Sequence, residues 1–306
     1  MDFRKVCFKK SRPFHVSLPA VPGMEIHSST LHNVTVIQRI KYISKYLYRI
    51  PRQLIIKQLS GMLSKPFYIS SIKRALIIAP HPDDEVFGCG GLMAALTEDK
   101  RDVFVLFLTR GEAGHRDCCL MNEELLKETR RNLCYSALNT LGTAKSNIFF
   151  FSLPDGNLAS VKDDTALHHD IKMLIDALKV DTVFYPHPYE NSSDHGAATG
   201  IVSKSVEDLP LKKYYYCVWI WHRVPIYKIF CLFLQYKNSF RLDISRVVDK
   251  KQKAIHEYLE SIAPCGNPLS GKIPGTFLHA FKWKYELFFE TEYVRKGQPY
   301  RREENA

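Results

Sequence analysis

No run of apolar residues in this 306-residue chain approaches the roughly 18–20 that span a bilayer, which excludes an integral membrane helix. No Cys-x-x-Cys pair occurs among the eight cysteines, at positions 7, 89, 118, 119, 134, 217, 231 and 265. Their scatter matches neither a zinc-finger spacing nor a disulfide framework, so they read as reduced thiols. The start, MDFRKVCFKKSRPF, lacks the apolar core of a secretory signal, and the expectation is a cytoplasmic protein. Internal repeats and low-complexity tracts are also missing, which excludes a solenoid or a linker-like chain. Acidic residues are scarce at one end only. Residues 1–72 set twelve Lys/Arg against Asp2 and Glu25, and so hold +10 of the formal +11. The expected organisation is a basic, partly helical extension over 1–72 and a nearly neutral globular domain over 73–306.

Within the extension, residues 1–33 show no period. Val36, Ile40, Ile43, Leu47 and Ile50 then recur at helical spacing, with Lys41, Lys45 and Arg49 on another face. Pro51 should interrupt this helix, and Leu54-Ile55-Ile56 with Leu59 suggest a second short one before Gly61. A basic stripe beside an apolar one has three readings. The helix rests on the body, or it lies on an anionic membrane surface as a peripheral attachment, or it binds nucleic acid. The near-neutral body argues against nucleic acid.

The body alternates strand and helix. Ala75–Ala79, Val103–Leu108, Ile148–Phe151 and Thr182–Tyr185 are short, apolar and rich in β-branched or aromatic residues, as buried strands are. Helical stretches lie near Glu85–Glu98, Asn122–Leu141, Asp163–Leu178 and His195–Val206. This rhythm predicts an α/β fold, a mostly parallel sheet with helices on both faces. Tyr214–Trp221 adds a strand, and Arg246–Glu260 and Lys282–Glu290 read as C-terminal helices. The segment PIYKIFCLFLQY, Pro225–Tyr236, lies in a hydrophobic insertion near 224–239 that suits a buried element, a dimer contact or a lip for a lipid-linked substrate.

The chemistry sits at two strand ends. The first strand runs into Pro80-His81-Pro82-Asp83-Asp84-Glu85, three carboxylates and a histidine within five residues. Helix capping explains acidic residues at a helix start but gives His81 no role. Like charges this close need a cation or donors, and a mixed His/Asp set suits zinc or a similar divalent ion. A second strand ends in Pro186-His187-Pro188-Tyr189-Glu190-Asn191-Ser192-Ser193-Asp194-His195. Two strand ends of one parallel sheet can bring His81, Asp84 and His195 around one ion. The nearby Gly88-Cys89-Gly90-Gly91 lacks the Gly-x-Gly-x-x-Gly spacing of a dinucleotide loop.

His81-Pro-Asp-Asp-Glu85, Thr109-Arg-Gly-Glu112-Ala-Gly114, Leu153-Pro-Asp-Gly156 and Asp194-His195 follow one another as they do in a known family. From about Arg74 to Ser261 the chain resembles the LmbE-like, or PIG-L-type, de-N-acetylases, which include N-acetylglucosaminyl-phosphatidylinositol deacetylase and bacterial thiol-biosynthesis deacetylases. The resemblance implies a Rossmann-like fold with one catalytic Zn2+. It implies His81, Asp84 and His195 as ligands and Asp83 as general base. It also implies substrate binding by Arg130 and a substrate or loop contact for Asp155. The implied substrate is an N-acetylated amino sugar or a glycolipid. Many members carry His-Pro-Asp-His where this chain has Ser192-Ser193-Asp194-His195, so their first His, a candidate acid or oxyanion stabiliser, is Ser192 here and His187 is the nearby candidate to substitute for it. Two other functions compete: a metal-dependent phosphohydrolase, which would use two metals, and a non-catalytic binding member of the fold.

Overall fold

The structure is a computed structural model that describes residues 36–115, 122–236 and 238–291, with side chains from Leu47 onward. Eight strands form one sheet: β1 (Lys65–Pro66), β2 (Arg74–Ala79), β3 (Asp102–Phe107), β4 (Ile148–Phe150), β5 (Thr182–Pro186), β6 (Lys212–Tyr216), β7 (Ser239–Asp243) and β8 (Tyr285–Glu290). Their order is β1-β7-β8-β6-β5-β2-β3-β4. Strands β2 to β6 run parallel to one another, and β8 lies antiparallel between β6 and β7. The apolar runs of β2, β3 and β5 are buried almost end to end, as strands covered on both faces must be.

Helices α2 (Asp84–Glu98) and α3 (Glu123–Thr140) carry the chain from β2 outward to β4. Helix α4 (Thr165–Ala177) then returns it across β2 to β5, and α5 (Ser193–Val206) leads on to β6. Parallel crossovers are right-handed, so this reversal places α2 and α3 on one face and α4 and α5 on the other. Helix α8 (Val248–Glu260) packs with α2 and α3, while α4 packs with α5. Strand order therefore reverses between β2 and β5, and ligands of such sheets sit in the crevice at the carboxyl ends beside that point.

Three elements differ from the sequence expectation. Lys282–Glu290 is not a helix: its end is strand β8, whose Leu287, Phe288 and Phe289 are buried between β6 and β7. Partner strands on both sides override the local pattern. Strand β6 stops at Tyr216, and α6 (Ile220–Arg223) and α7 (Ile226–Gln235) follow it. Pro51 lies inside a continuous helix, α1 (Val36–Leu63). A central proline costs about 3 kcal/mol, and contacts on both sides of it offset that. Arg49 meets His222 before the proline, while Arg52 caps Trp221 O and Val224 O and Gln53 donates to Thr276 O (2.5 Å) after it.

Contacts divide the chain between Lys45 and Tyr46. Ile56, Phe67 and Ile72 belong to the core, and β1 pairs with β7. The register of α1 turns Leu47, Tyr48, Leu54, Ile55 and Met62 outward, and Arg52, Gln53 and Ser60 inward. The side chains of Lys41 and Lys45 lie outside the described residues. No helix among the described residues is long and apolar enough to cross a membrane.

The glycines after His81-Pro-Asp-Asp-Glu85 serve packing. A Cβ at Gly88 would run into the Tyr216 ring, and one at Gly91 would come within 2.5 Å of Ile244. Close approach lets Glu286 of β8 reach into α2 and accept from Gly91 N (2.7 Å) and Leu92 N (2.8 Å). Lys251 of α8 donates to Glu286 Oε1 (2.6 Å) and to Phe87 O (2.9 Å), the carbonyl Gly91 N would ordinarily use. Both charged side chains are 3% exposed. Removing one partner strands the other charge in the core. Glu286→Ala should destabilise the protein by about 3–5 kcal/mol, read from the urea midpoint, whereas the surface change Lys250→Ala should stay within about 0.5 kcal/mol.

Candidate functional site

The loops after β2 and β5 meet at the point where strand order reverses. His81 Nδ1 and His195 Nε2 approach the same oxygen, Asp84 Oδ2, at 3.1 and 3.2 Å. The three residues form a group able to hold a metal ion, as the sequence expects. His81 Nε2 faces the other way, 3.1 Å from both Asp155 Oδ1 and Asp194 Oδ2. His81, Asp155 and Asp194 are a second geometric candidate. Their carboxylates are already committed: Asp194 accepts from Gly156 N (2.7 Å) and Leu158 N (3.2 Å), and Asp155 from Ala113 N (2.5 Å). Two imidazoles and one carboxylate suit zinc, and carboxylates behind a ligating imidazole are its usual support. The donor set therefore fits a metal at His81, Asp84 and His195.

Electrostatics agree with this division. Burial opposes charge on His81, but hydrogen bonds to Asp155, Asp194 and Asp84 outweigh it and push its pKa well up. Burial likewise works to raise Asp84, yet contacts with His195 and His81 hold it well below the usual carboxylate range. Asp83 goes the other way. Burial and the Asp84 charge raise its pKa well above the ordinary value, against the opposing pull of Arg130. Two adjacent acids are thus driven apart, one ionised and one able to hold a proton.

Asp83 is not a helix cap. It precedes α2 with φ 113°, makes no capping bond, and adopts a backbone conformation that L residues avoid. Glu85 Oε2 accepts from Asp83 N (2.9 Å), and Tyr258 OH donates to Glu85 Oε1 (2.6 Å). Arg130, 3% exposed, donates to Pro82 O and Gly111 O at 2.7 Å each. Its Nη2 also lies 3.8 Å from Asp83 Oδ2. Arg130 thus meets the turn, and Asp155 meets both His81 Nε2 and Ala113 N.

Glu190, which the sequence left without a role, is fully buried behind His195. Its carboxylate accepts from Val218 N (2.7 Å) and from Trp219 N, and Oε2 lies 3.7 Å from His195 Nδ1. That nitrogen is buried with no other partner. Burial lifts the Glu190 carboxyl to about 7. A carboxylate in the strand-end loop, five residues before a candidate ligand in the first turn of α5, was the available signal.

Residues 76–206 match the family described as PIG-L, GlcNAc-PI de-N-acetylase. Over that stretch the chain is similar to this family. It is 27% identical over 256 residues to a diacetylchitobiose deacetylase of Thermococcus kodakarensis, covering 74% of this chain and 91% of that one. It is 29% identical over 148 residues to a probable N-acetyl-alpha-D-glucosaminyl L-malate deacetylase of Bacillus subtilis, covering 45% and 65%. Among solved structures, the N,N'-diacetylchitobiose deacetylase of Pyrococcus horikoshii superposes with a TM-score of 0.51 at 22% identity, covering 74% of this chain and 80% of that one. A zinc-inhibited teicoplanin deacetylase gives 0.56 at 14% identity, covering 73% and 100%. These two likenesses establish the shared fold. The family match stops at residue 206, so α1 and everything from β6 onward lie outside it.

Ser192 stands at the N-cap of α5 and makes no capping bond. His187 does not take the place of the missing histidine. It is fully buried among Tyr189, Tyr215, Tyr236 and Phe289, and its Nδ1 accepts from Tyr189 N. Burial drives its pKa down to about 3. A depressed folded pKa means stability present above the unfolded value near 6.5 and lost as pH falls toward 3. The loss should approach about 1.4 kcal/mol per pH unit in that window, and His187→Phe should flatten that part of the urea-denaturation profile.

Proposed function

We propose that this chain is a zinc-dependent hydrolase that removes the acetyl group from an N-acetylated amino sugar. The observation that carries the reading is the convergence of His81 Nδ1 and His195 Nε2 on Asp84 Oδ2, with Asp83 on the turn beside it. Both relatives named above are deacetylases of N-acetylated sugars by name.

His81 Nδ1, Asp84 Oδ2 and His195 Nε2 would hold the ion. When bound, zinc supplies a Lewis acid for the acetyl carbonyl and makes water more acidic. The chain's own residues do the rest. Asp83 accepts a proton from the water as its oxygen attacks the carbonyl carbon. The carbon–nitrogen bond then breaks, and Asp83 returns the proton to the leaving amine, giving acetate and the free amino sugar. One residue serves both transfers because no histidine stands at position 192. Arg130 and Glu85 hold the turn that aims Asp83, while Asp155 and Asp194 fix His81 by accepting from its Nε2. Glu190 fixes His195 from behind.

Asp83→Asn should keep the metal and lose turnover by about 10²–10⁴-fold, since an amide cannot accept the proton. Measured by metal analysis beside acetate release from N-acetylglucosamine conjugates, His195→Ala should instead lose the ion. A metal content unchanged in His195→Ala, or full activity in Asp83→Asn, would overturn the assignment. Ser192→Ala should cost far less than Asp83→Asn. Glu190→Gln keeps the shape but loses the charge behind His195, and should weaken metal affinity by about 10–100-fold in a chelator competition.

A further inference from the structure

Apolar side chains that face water are concentrated on two helices. Nine of the thirteen large hydrophobic residues exposed among the described residues belong to α1 and α7. On α1 they include Leu54, Ile55 and Met62, opposite the inward Arg52, Ile56 and Ser60. On α7 they are Tyr227 (66% exposed), Phe230 and Leu234 (62%), opposite the buried Ile229 and Leu232. A helix resting on a core normally turns polar residues outward, and these two do not.

Both outer faces point the same way. Side chains alternate along a strand, so Tyr285 and Phe289 of β8 lie on one face of the sheet. Helix α1 rests on the first: Tyr285 OH donates to Lys57 O (2.6 Å) and lies 3.0 Å from Ser60 Oγ. Helix α7 rests on the second: the rings of Phe233 and of Tyr236, just after the helix, lie 5.4 and 5.3 Å from that of Phe289. Each end of α7 is also tied to α1. Arg52 donates to Val224 O ahead of it, and Ser239 Oγ donates to Leu63 O (3.3 Å) behind it. Two helices side by side on one face of a sheet present their outer stripes together, and monomers seldom leave so large an apolar surface open.

Charge on these segments has one sign. No Asp or Glu occurs from residue 26 to 82 or from 209 to 242, stretches that contain α1, β1, α6 and α7. Lys57 and Lys228 stand half-buried on the two helices, and Lys65, exposed, follows α1. Lysine stems lie along apolar surface while their ammonium groups reach its rim. An apolar stripe with cations and no acids suits the boundary between headgroups and acyl chains of an anionic bilayer. A second copy, in a two-fold pair, would set this cationic rim against itself.

We propose that the outer faces of α1 and α7 form a docking surface for an anionic lipid bilayer. It is not the basic stripe that the periodicity of α1 suggests. Arg49 of that stripe is engaged with His222, and apolar residues face outward instead. The segment leading into α7 carries the Val218 and Trp219 amides that anchor Glu190 behind His195, so the docked face continues into the support of the site. Docking does not depend on the amino-sugar reading.

Sedimentation of the full chain with vesicles tests this, using phosphatidylcholine alone and phosphatidylcholine mixed with phosphatidylglycerol. Mixed vesicles should bind the protein about tenfold or more tightly than neutral ones, and added salt should reduce the preference. Tyr227→Ser with Leu234→Ser should weaken binding to mixed vesicles about tenfold, and Lys57→Glu with Lys65→Glu should do the same. Leu125→Ser, at an exposed apolar position of α3, should change nothing. Melting curves that match the parent chain show that the variants are folded. No binding to either vesicle, or equal binding to both, overturns the proposal. Binding that both double substitutions leave intact also overturns it and assigns attachment to another part of the chain. Self-association that Tyr227→Ser with Leu234→Ser abolishes, without vesicle binding, overturns the lipid surface in favour of a second copy.

Discussion

Buried carboxylates keep their charge only against cations or donors, and several of them share two imidazoles where β2 and β5 part. Asp84 meets both rings, Asp155 and Asp194 meet the far side of His81, and Glu190 stands behind His195. Each acid is anchored by backbone donors or by a ring, so the loops after β2, β4 and β5 are tied to one another through it. The order of the strands decides that these loops meet at all. Only a sheet whose winding reverses between β2 and β5 opens a crevice there.

The same constraint explains the two adjacent aspartates. Asp84 is held down by the rings it touches, while Asp83 sits on a left-handed turn, raised by burial and by its neighbour. Such a backbone is strained and needs outside support. Glu85, Tyr258 and Arg130 supply it from within α2, from α8 and from α3. Arg130 reaches the turn through the carbonyls of Pro82 and Gly111.

Elements outside the family match do more than cover the sheet. Strand β8 and helix α8 bring Glu286 and Lys251 against α2, whose first turn carries Asp84 and Glu85. Helix α1 clamps α6 through Arg49 and Arg52, and so fixes the segment whose Val218 and Trp219 amides anchor Glu190. The basic charge that composition assigns to an extension is thus partly an internal clamp. Arg49 and Arg52 lie on the inner side of a helix whose outer side carries Leu47 and Leu54.

The sequence by itself determined the strands β2 to β5, helices α2 to α5 and the trio His81, Asp84 and His195. Those strands are continuous apolar runs, and the trio's residue types sit at strand ends where parallel sheets bind ligands. Strand β8 escaped because Lys282–Glu290 has no decisive period and becomes a strand only between β6 and β7. The unbroken α1 escaped because contacts with His222, Trp221 and Thr276, all more than 160 residues away, outweigh Pro51. The partners of Glu190, the burial of His187 among tyrosines and the inward turn of Arg49 are long-range facts of the same kind. Periodicity reports which face of an element is apolar, but the energy of a buried charge depends on what faces it. Only the tertiary structure decided that.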